Sequence, residues 1–362
     1  MKYNMWLLKN HTPFEAERSW VRDKDGAEVW LVAVKGTFII GQDGSTKVAD
    51  EQMKVLFAPE FRGVPNQSSL IYDSDLYHTK MRTDVILHGY AYAPGGRPTK
   101  MVEATLKIAN IQKTVRVFGD RIWERSLIGV TMSEPKRLTR MPLIYERAFG
   151  GADVISKDPR EHDWEPRNPV GTGFAHKKEH LIAKPAPNIE DPRSLITHWK
   201  SRPDPIGFGP IAGHWSPRLQ FAGTYDEKWE KERLPLLPYN FDERFYQCAP
   251  EDQQVPGFVK GGTLVELYNM TPRGFLRFRL PLAGFVFRTR FAGRESREHR
   301  AVLHTVILEP DVPRVIMVWH TSLPCHHDAD KLLETTIIPK KQVLVPKEYI
   351  ASGVWIGEQG EE

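Results

Sequence analysis

Strict alternation of apolar and polar side chains marks residues 102–108, where Val102, Ala104, Leu106 and Ile108 are separated by Glu103, Thr105 and Lys107. A strand with one buried and one solvated face requires that period of two. Residues 114–118 repeat the alternation after a short connection through Asn110, so the two segments predict a hairpin closed by residues 109–112. Longer β-rich runs at 29–40 and 85–92 contain Gly36 and Gly89, expected to be bulges or points of close backbone approach. After Gly261 and Gly262 the pattern returns at 264–270 and 275–280, the latter alternating Leu276, Phe278 and Leu280 with Arg277 and Arg279. Segments 302–308 and 314–319 are almost continuously apolar, as strands covered on both faces are.

Between residues 135 and 256 the periodicity fades, and this stretch holds 16 of the 28 prolines. Proline lacks the N–H a ladder needs and fixes φ, so neither a central strand nor a long helix fits there. The same stretch carries Trp164, Trp199, Trp215 and Trp229, which a disordered linker seldom does. It therefore predicts a fixed layer of ordered loops over a β framework. Two short helices are expected within it. Thr224 with Glu227 reads as a capping box, with Lys231 placed to pair with Glu227 and Pro235 beyond the end. Asn240 with Glu243 repeats the signature before Phe245 and Tyr246.

The expected fold is mainly β: antiparallel, sandwich-like sheets at both ends of the chain, a central Pro/Trp-rich irregular layer, and a few short helices. The divisions fall at 1–130, 131–262 and 263–345, with a tail at 346–362 for which Trp355 is the candidate anchor. Together they read as one compact unit.

Composition narrows the function classes. Hydrophobic residues make up 40% and charged residues 27% of the 362, which describes a folding, globular chain. The formal charge of +4 comes from 50 basic and 46 acidic residues mixed along the chain, unlike the clustered Lys and Arg of a nucleic-acid binder. Cys248 and Cys325 are the only cysteines, so neither a disulfide framework nor a Cys-based zinc site can be built. The apolar patch at 5–8 is far shorter than a signal-peptide core or a membrane span. A cytoplasmic protein, with neither membrane nor nucleic acid among its partners, is the expectation.

The search for chemistry finds no phosphate loop, no dinucleotide-binding glycine fingerprint, no GxSxG elbow and no HExxH pair. Gly171, Thr172 and Gly173 are half a fingerprint in a proline context, which reads as a structural turn. The run Cys325, His326, His327, Asp328 is the best metal candidate, yet adjacent side chains diverge, so His304 or His320 would have to help. A polar loop is the expected reading. His176 and His180 are separated by Lys177 and Lys178 and read as a solvated turn. The carboxylates Asp226, Glu227, Asp242 and Glu243 have helix-start duties that account for them. No catalytic residue, metal or organic cofactor is assigned.

Several segments resemble one bacterial family, domain of unknown function 2169. They are TDVILHGYAYAPGGRP at 83–98, KTVRVFGDRIW at 113–123, YERAFGG at 145–151, RNPVGTGF at 167–174 and PNIED at 187–191. The series continues with GFGPI at 207–211, HWSPR at 214–218, AGTYDEKW at 222–229, DERFYQCAPEDQ at 242–253 and LRFRLP at 276–281. The resemblance implies a chaperone or adaptor that stabilises a type VI secretion toxin effector and hands it to the VgrG spike or its PAAR tip. It carries over no catalytic residues. An enzyme of hydrolase type and a structural part of the secretion baseplate stand as alternatives, which metal content and genomic neighbours would discriminate.

A binding role directs attention to aromatic and arginine anchors on loops stiffened by proline, because Trp and Arg dominate interface energies. The candidate partner-binding residues are therefore Trp164, Arg167, Trp199, Phe208, His214, Trp215 and Arg218. Tryptophans filling the space between β lobes would leave the same sequence signature.

Overall fold

The computed structural model describes residues 5–127 and 129–340; the tail with Trp355 lies outside the described residues. Sixteen strands form its three largest sheets. The first eight are β1 (Leu7–Asn10), β2 (Glu15–Arg22), β3 (Glu28–Ile40), β4 (Thr46–Val48), β5 (Arg82–Leu87), β6 (Met101–Ile108), β7 (Ile111–Phe118) and β8 (Ile189–Glu190). The rest are β9 (Gln254–Pro256), β10 (Leu264–Tyr268), β11 (Phe275–Arg279), β12 (Phe285–Phe291), β13 (Arg297–His299), β14 (Val302–Glu309), β15 (Arg314–Pro324) and β16 (Leu332–Pro339).

The seven-stranded sheet runs β2–β3–β15–β14–β5–β9, with β4 paired to β3. The five-stranded sheet runs β8–β7–β6–β10–β11, and the four-stranded sheet β1–β16–β12–β13. The fold is mainly β, and the strand-rich ends of the chain interleave within each sheet. Pairing is largely antiparallel, but β5 with β14 and β1 with β16 run parallel. Those pairs come from opposite ends of the chain, so no tight turn dictates their direction.

Periodicity translates directly into burial. Val102, Ala104, Leu106 and Ile108 in β6 are buried while Met101 and Glu103 are exposed, and β6 meets β7 across a turn at Ala109 and Asn110. Strands β14 and β15, apolar over most of their length, are covered on both faces. One contiguous core joins the three sheets through residues such as Trp30, Leu106, Phe287 and Met317. The irregular layer contributes Phe208 and Trp215 to that core.

Some local expectations are corrected. Gly36 is no bulge but sits in register opposite Met317. A Cβ there would meet the Phe38 ring at 2.9 Å and the Phe14 and Trp319 rings at 3.1 Å, so it is a point of close approach. The run at 85–92 breaks at His88 and Gly89, after which Tyr90–Tyr92 pairs with Arg140–Pro142 instead. The helix Glu227–Glu232 is capped by Asp226, which accepts from the Trp229 N–H, and not by Thr224. Likewise Asp242, not Asn240, caps Glu243–Tyr246. Both helical turns begin two residues later than expected, freeing Asn240 to bond Thr224 from both ends of its amide.

Four histidines are built into the β framework in neutral form. His304 and His320 stack at 4.6 Å, and His299 bridges Thr289 and Thr321. Burial pushes His88 and His299 down to about 4 and His320 to about 3, and holds His304 well below the ordinary range. A folded-state pKa below the unfolded one means the unfolded chain takes up the proton first. Stability is therefore full above the unfolded value near 6.5 and declines as pH falls toward 4, with each histidine adding up to about 1.4 kcal/mol per pH unit. Urea unfolding at pH 7 and pH 5 should show that loss, and His320→Gln should reduce the slope. A flat profile would contradict it.

Candidate functional site

Glycines and one asparagine bring the resemblance segments together. Phe149 and Gly150 pair in parallel with Thr172 and Gly173. Gly150 adopts φ +149°, and a Cβ there would lie 2.1 Å from the Asn168 carbonyl oxygen. Only glycine tolerates that combination. Asn168 is fully buried and donates to the Tyr145 and Phe149 carbonyls at 2.8 and 3.0 Å. The Asn188 N–H donates to the Arg147 carbonyl at 2.8 Å. Trp215 meets Tyr145 edge to face with ring centroids 5.3 Å apart. The half-fingerprint at 171–173 is thus structural, but Thr172 and Gly173 form a short strand and the expected turn closes just before it, where the Gly171 N–H donates to the Asn168 carbonyl.

This places the seven candidate residues unequally. Phe208 and Trp215 are wholly buried, and the Phe208 carbonyl accepts from Leu87 N and Gln253 Nε2. Arg218 is 4% exposed. Its guanidinium donates to Asp73 Oδ2 at 2.7 Å, to the Ile211 carbonyl at 2.7 Å and to the Phe245 carbonyl at 3.0 Å. Phe208 and Trp215 are corrected from surface anchors to core, where the ordered loops bury them to hold themselves onto the sheets, while Arg218, though almost fully buried, still reaches the wall of an adjoining cleft. Trp199 is half-buried against a second core cluster around Trp123 and Phe149. Trp164 is 56% exposed, on a small hairpin pairing Ala152 with Trp164, and Val154 and Ile155 on the same hairpin are also exposed. His214 is exposed. Arg167 is clamped by Glu165 at 2.6–2.7 Å and by Asp204 at 2.5 Å.

What sequence reasoning missed is a cleft of about 690 Å³. Its lining comes from segments scattered along the chain: Arg167, then Asp191 and Arg193, then Pro205 to Ile211, then Pro217 to Phe221, then Arg244 to Gln254. Met81, Arg82 and Lys113 close it from the β framework. Seven of the resemblance segments contribute lining residues, although they are far apart in sequence. No linear motif spells out such a cleft, because it exists only once the loops converge.

Most charges in the cleft are paired. Arg193 grips Asp191 at 2.8 Å and holds its carboxyl below the ordinary range. Lys113 reaches Asp252 at 2.8 Å and Gln253 at 2.7 Å, and burial pushes its ammonium down against that partner. Arg82 has no ion-pair partner among the described residues. Between the charges lie Ile206, Ile211, Phe221 and three prolines, an apolar wall with a polar frame, suited to side chains of a polypeptide.

Behind the cleft lies a buried polar cluster. Asp84 accepts from Lys80 Nζ at 2.6 Å, Gln247 Nε2 at 2.7 Å and Cys248 N at 2.8 Å. Burial and the Asp84 charge push the Cys248 thiol far up, although Lys80 opposes them, which makes it a poor nucleophile. Burial works against the Lys80 ammonium, but the Asp84 carboxylate outweighs that cost and keeps it charged. These groups satisfy each other inside the fold.

The other candidates for chemistry disperse. Cys325 is buried, with its thiol directed to the Leu323 carbonyl, while Asp328 pairs with Arg294 and Lys331. Among the described residues, no three His, Cys, Asp or Glu side chains converge as metal ligands. His180 departs from the expected solvated turn: its Nδ1 lies 2.8 Å from Asp153, tying the 176–180 turn to the Trp164 hairpin.

One family matches residues 25–320, described as an uncharacterized protein conserved in bacteria (DUF2169). No curated protein and no solved structure matches the chain.

Proposed function

We propose that this chain, which belongs to the bacterial family DUF2169, is a non-enzymatic cytoplasmic adaptor. It binds a type VI secretion toxin effector in its cleft and loads it onto the VgrG or PAAR spike. The observation that carries the reading is the convergence of seven resemblance segments on one cleft whose wall is apolar and most of whose charges are paired. Such a wall buries partner side chains at little cost in desolvated charge, because Lys113, Arg167, Asp191 and Arg193 already have ionic partners. Trp164, three residues before the cleft residue Arg167, offers an exposed aromatic anchor in the same layer. A depressed carboxyl at Asp191 and an inert thiol at Cys248 favour binding over acid–base or nucleophilic chemistry.

The test is co-expression with a candidate type VI secretion toxin from the same genome. The toxin should co-purify with the chain and gain soluble yield, and spike protein should join the complex. A chain that alters neither toxin yield nor recovery, or that turns over a small substrate, would end the adaptor reading.

A further inference from the structure

A second groove, of about 1180 Å³, shares no lining residue with the cleft. It lies between the tip of the hairpin Arg121–Ser126 with Gly129–Met132, the turn at 176–179 and the loop at 197–200. Its charge is one-sided: Lys177, Lys178 and Lys200 face a single acid, Glu179, with the imidazoles of His176 and His198 beside them. Lys177 is already committed to Glu161 at 3.0 Å. Lys178 and Lys200 have no ion-pair partner among the described residues, although Lys200 Nζ sits 5.3 Å from the Trp199 ring centroid.

The groove also has apolar features. Leu127 is fully exposed at the hairpin tip, beside Val130. Trp199 is held from behind by the Trp123 cluster, so its position is fixed before any partner arrives. An anchored aromatic ring loses little conformational entropy on docking.

We infer that this groove docks an acidic segment of a partner polypeptide, with carboxylates over Lys178 and Lys200 and an apolar side chain between Leu127 and Trp199. Charge complementarity selects the occupant. A nucleic acid would call for a longer cationic stripe, with several phosphate contacts and no acid within it, whereas two free ammonium groups beside an apolar tip match a short acidic–apolar peptide. The inference stands apart from the effector reading, because a different surface carries it.

Fluorescence anisotropy with the full chain tests it, using a short labelled peptide of alternating Glu and Leu, its Gln-for-Glu counterpart, and a single-stranded DNA oligonucleotide. The acidic peptide should bind at least about tenfold more tightly than the Gln peptide and weaken with added salt. Lys178→Glu combined with Lys200→Glu should remove that advantage at an unchanged melting temperature, since both side chains are exposed. Leu127→Ser should weaken the peptide as well. Equal binding of both peptides, binding that survives the double charge reversal, or tighter binding of the oligonucleotide would overturn the proposal.

Discussion

Replacing Trp215 by Ala should destabilise the fold by about 3–5 kcal/mol, the range for truncating a buried large aromatic side chain. Trp215 is wholly buried, stacked edge to face on Tyr145, in the core shared by the sheets and the Pro-rich layer. The loops cannot collapse into the space it leaves, because Gly150, Gly171 and Asn168 fix the neighbouring backbone in close contact. Trp164→Ala should change stability by no more than about 0.5 kcal/mol, as surface substitutions do. Urea unfolding of the two variants beside the parent chain measures the contrast. Similar midpoints for both would show that Trp215 does not secure the layer.

Arg218→Ala should cost a comparable amount, about 3–5 kcal/mol, for an electrostatic reason. Arg218 and Asp73 form an ion pair at 2.7 Å with both side chains almost fully buried, 4% and 5% exposed. Removing the guanidinium leaves the Asp73 charge buried, and an uncompensated buried charge is what makes breaking such pairs expensive. It also removes the donors to the Ile211 and Phe245 carbonyls. Tyr77, which donates to Asp73 Oδ1 at 2.7 Å, offsets only part of that loss. Arg218→Lys keeps the charge but cannot reproduce a fork that reaches three acceptors, so it should fall between parent and Ala. A urea midpoint for Arg218→Ala within error of the parent would refute this account of the pair.

The same two residues explain why the fold was legible in the sequence while the site was only partly so. Alternation at 102–108 has one structural solution, because a strand's period decides which faces are buried, and the near-continuous, β-branched apolar run at 302–308 fits a strand covered on both faces. A tryptophan or arginine in a proline-rich loop has two, core or surface, and the local sequence around Trp215 and Trp164 does not differ in any way that separates them. What separates them is long-range: Trp215 meets Tyr145, while Trp164 pairs with Ala152 on a hairpin that projects its apolar side chains outward. The cap positions were missed for a smaller reason. Thr224 and Asp226 both have cap chemistry, and only the bond between Asn240 and Thr224 shows which one is free to cap. Asp84 gave no warning at all, since an acid inside an apolar strand becomes tolerable only when Lys80 and Gln247 arrive to bond it.

The central claim, that the cleft is the docking site for an effector, is tested most directly at Met81 and Arg82, two exposed side chains on its wall. Met81→Glu combined with Arg82→Glu replaces an apolar contact and an unpaired cation with two negative charges while leaving the core untouched. The measurement is the affinity of the purified variant for the toxin that the parent chain captures, taken together with its melting temperature. The account predicts at least about thirtyfold weaker capture, the loss of a hot spot of about 2 kcal/mol, at an unchanged melting temperature. Undiminished capture by the stably folded variant would contradict it.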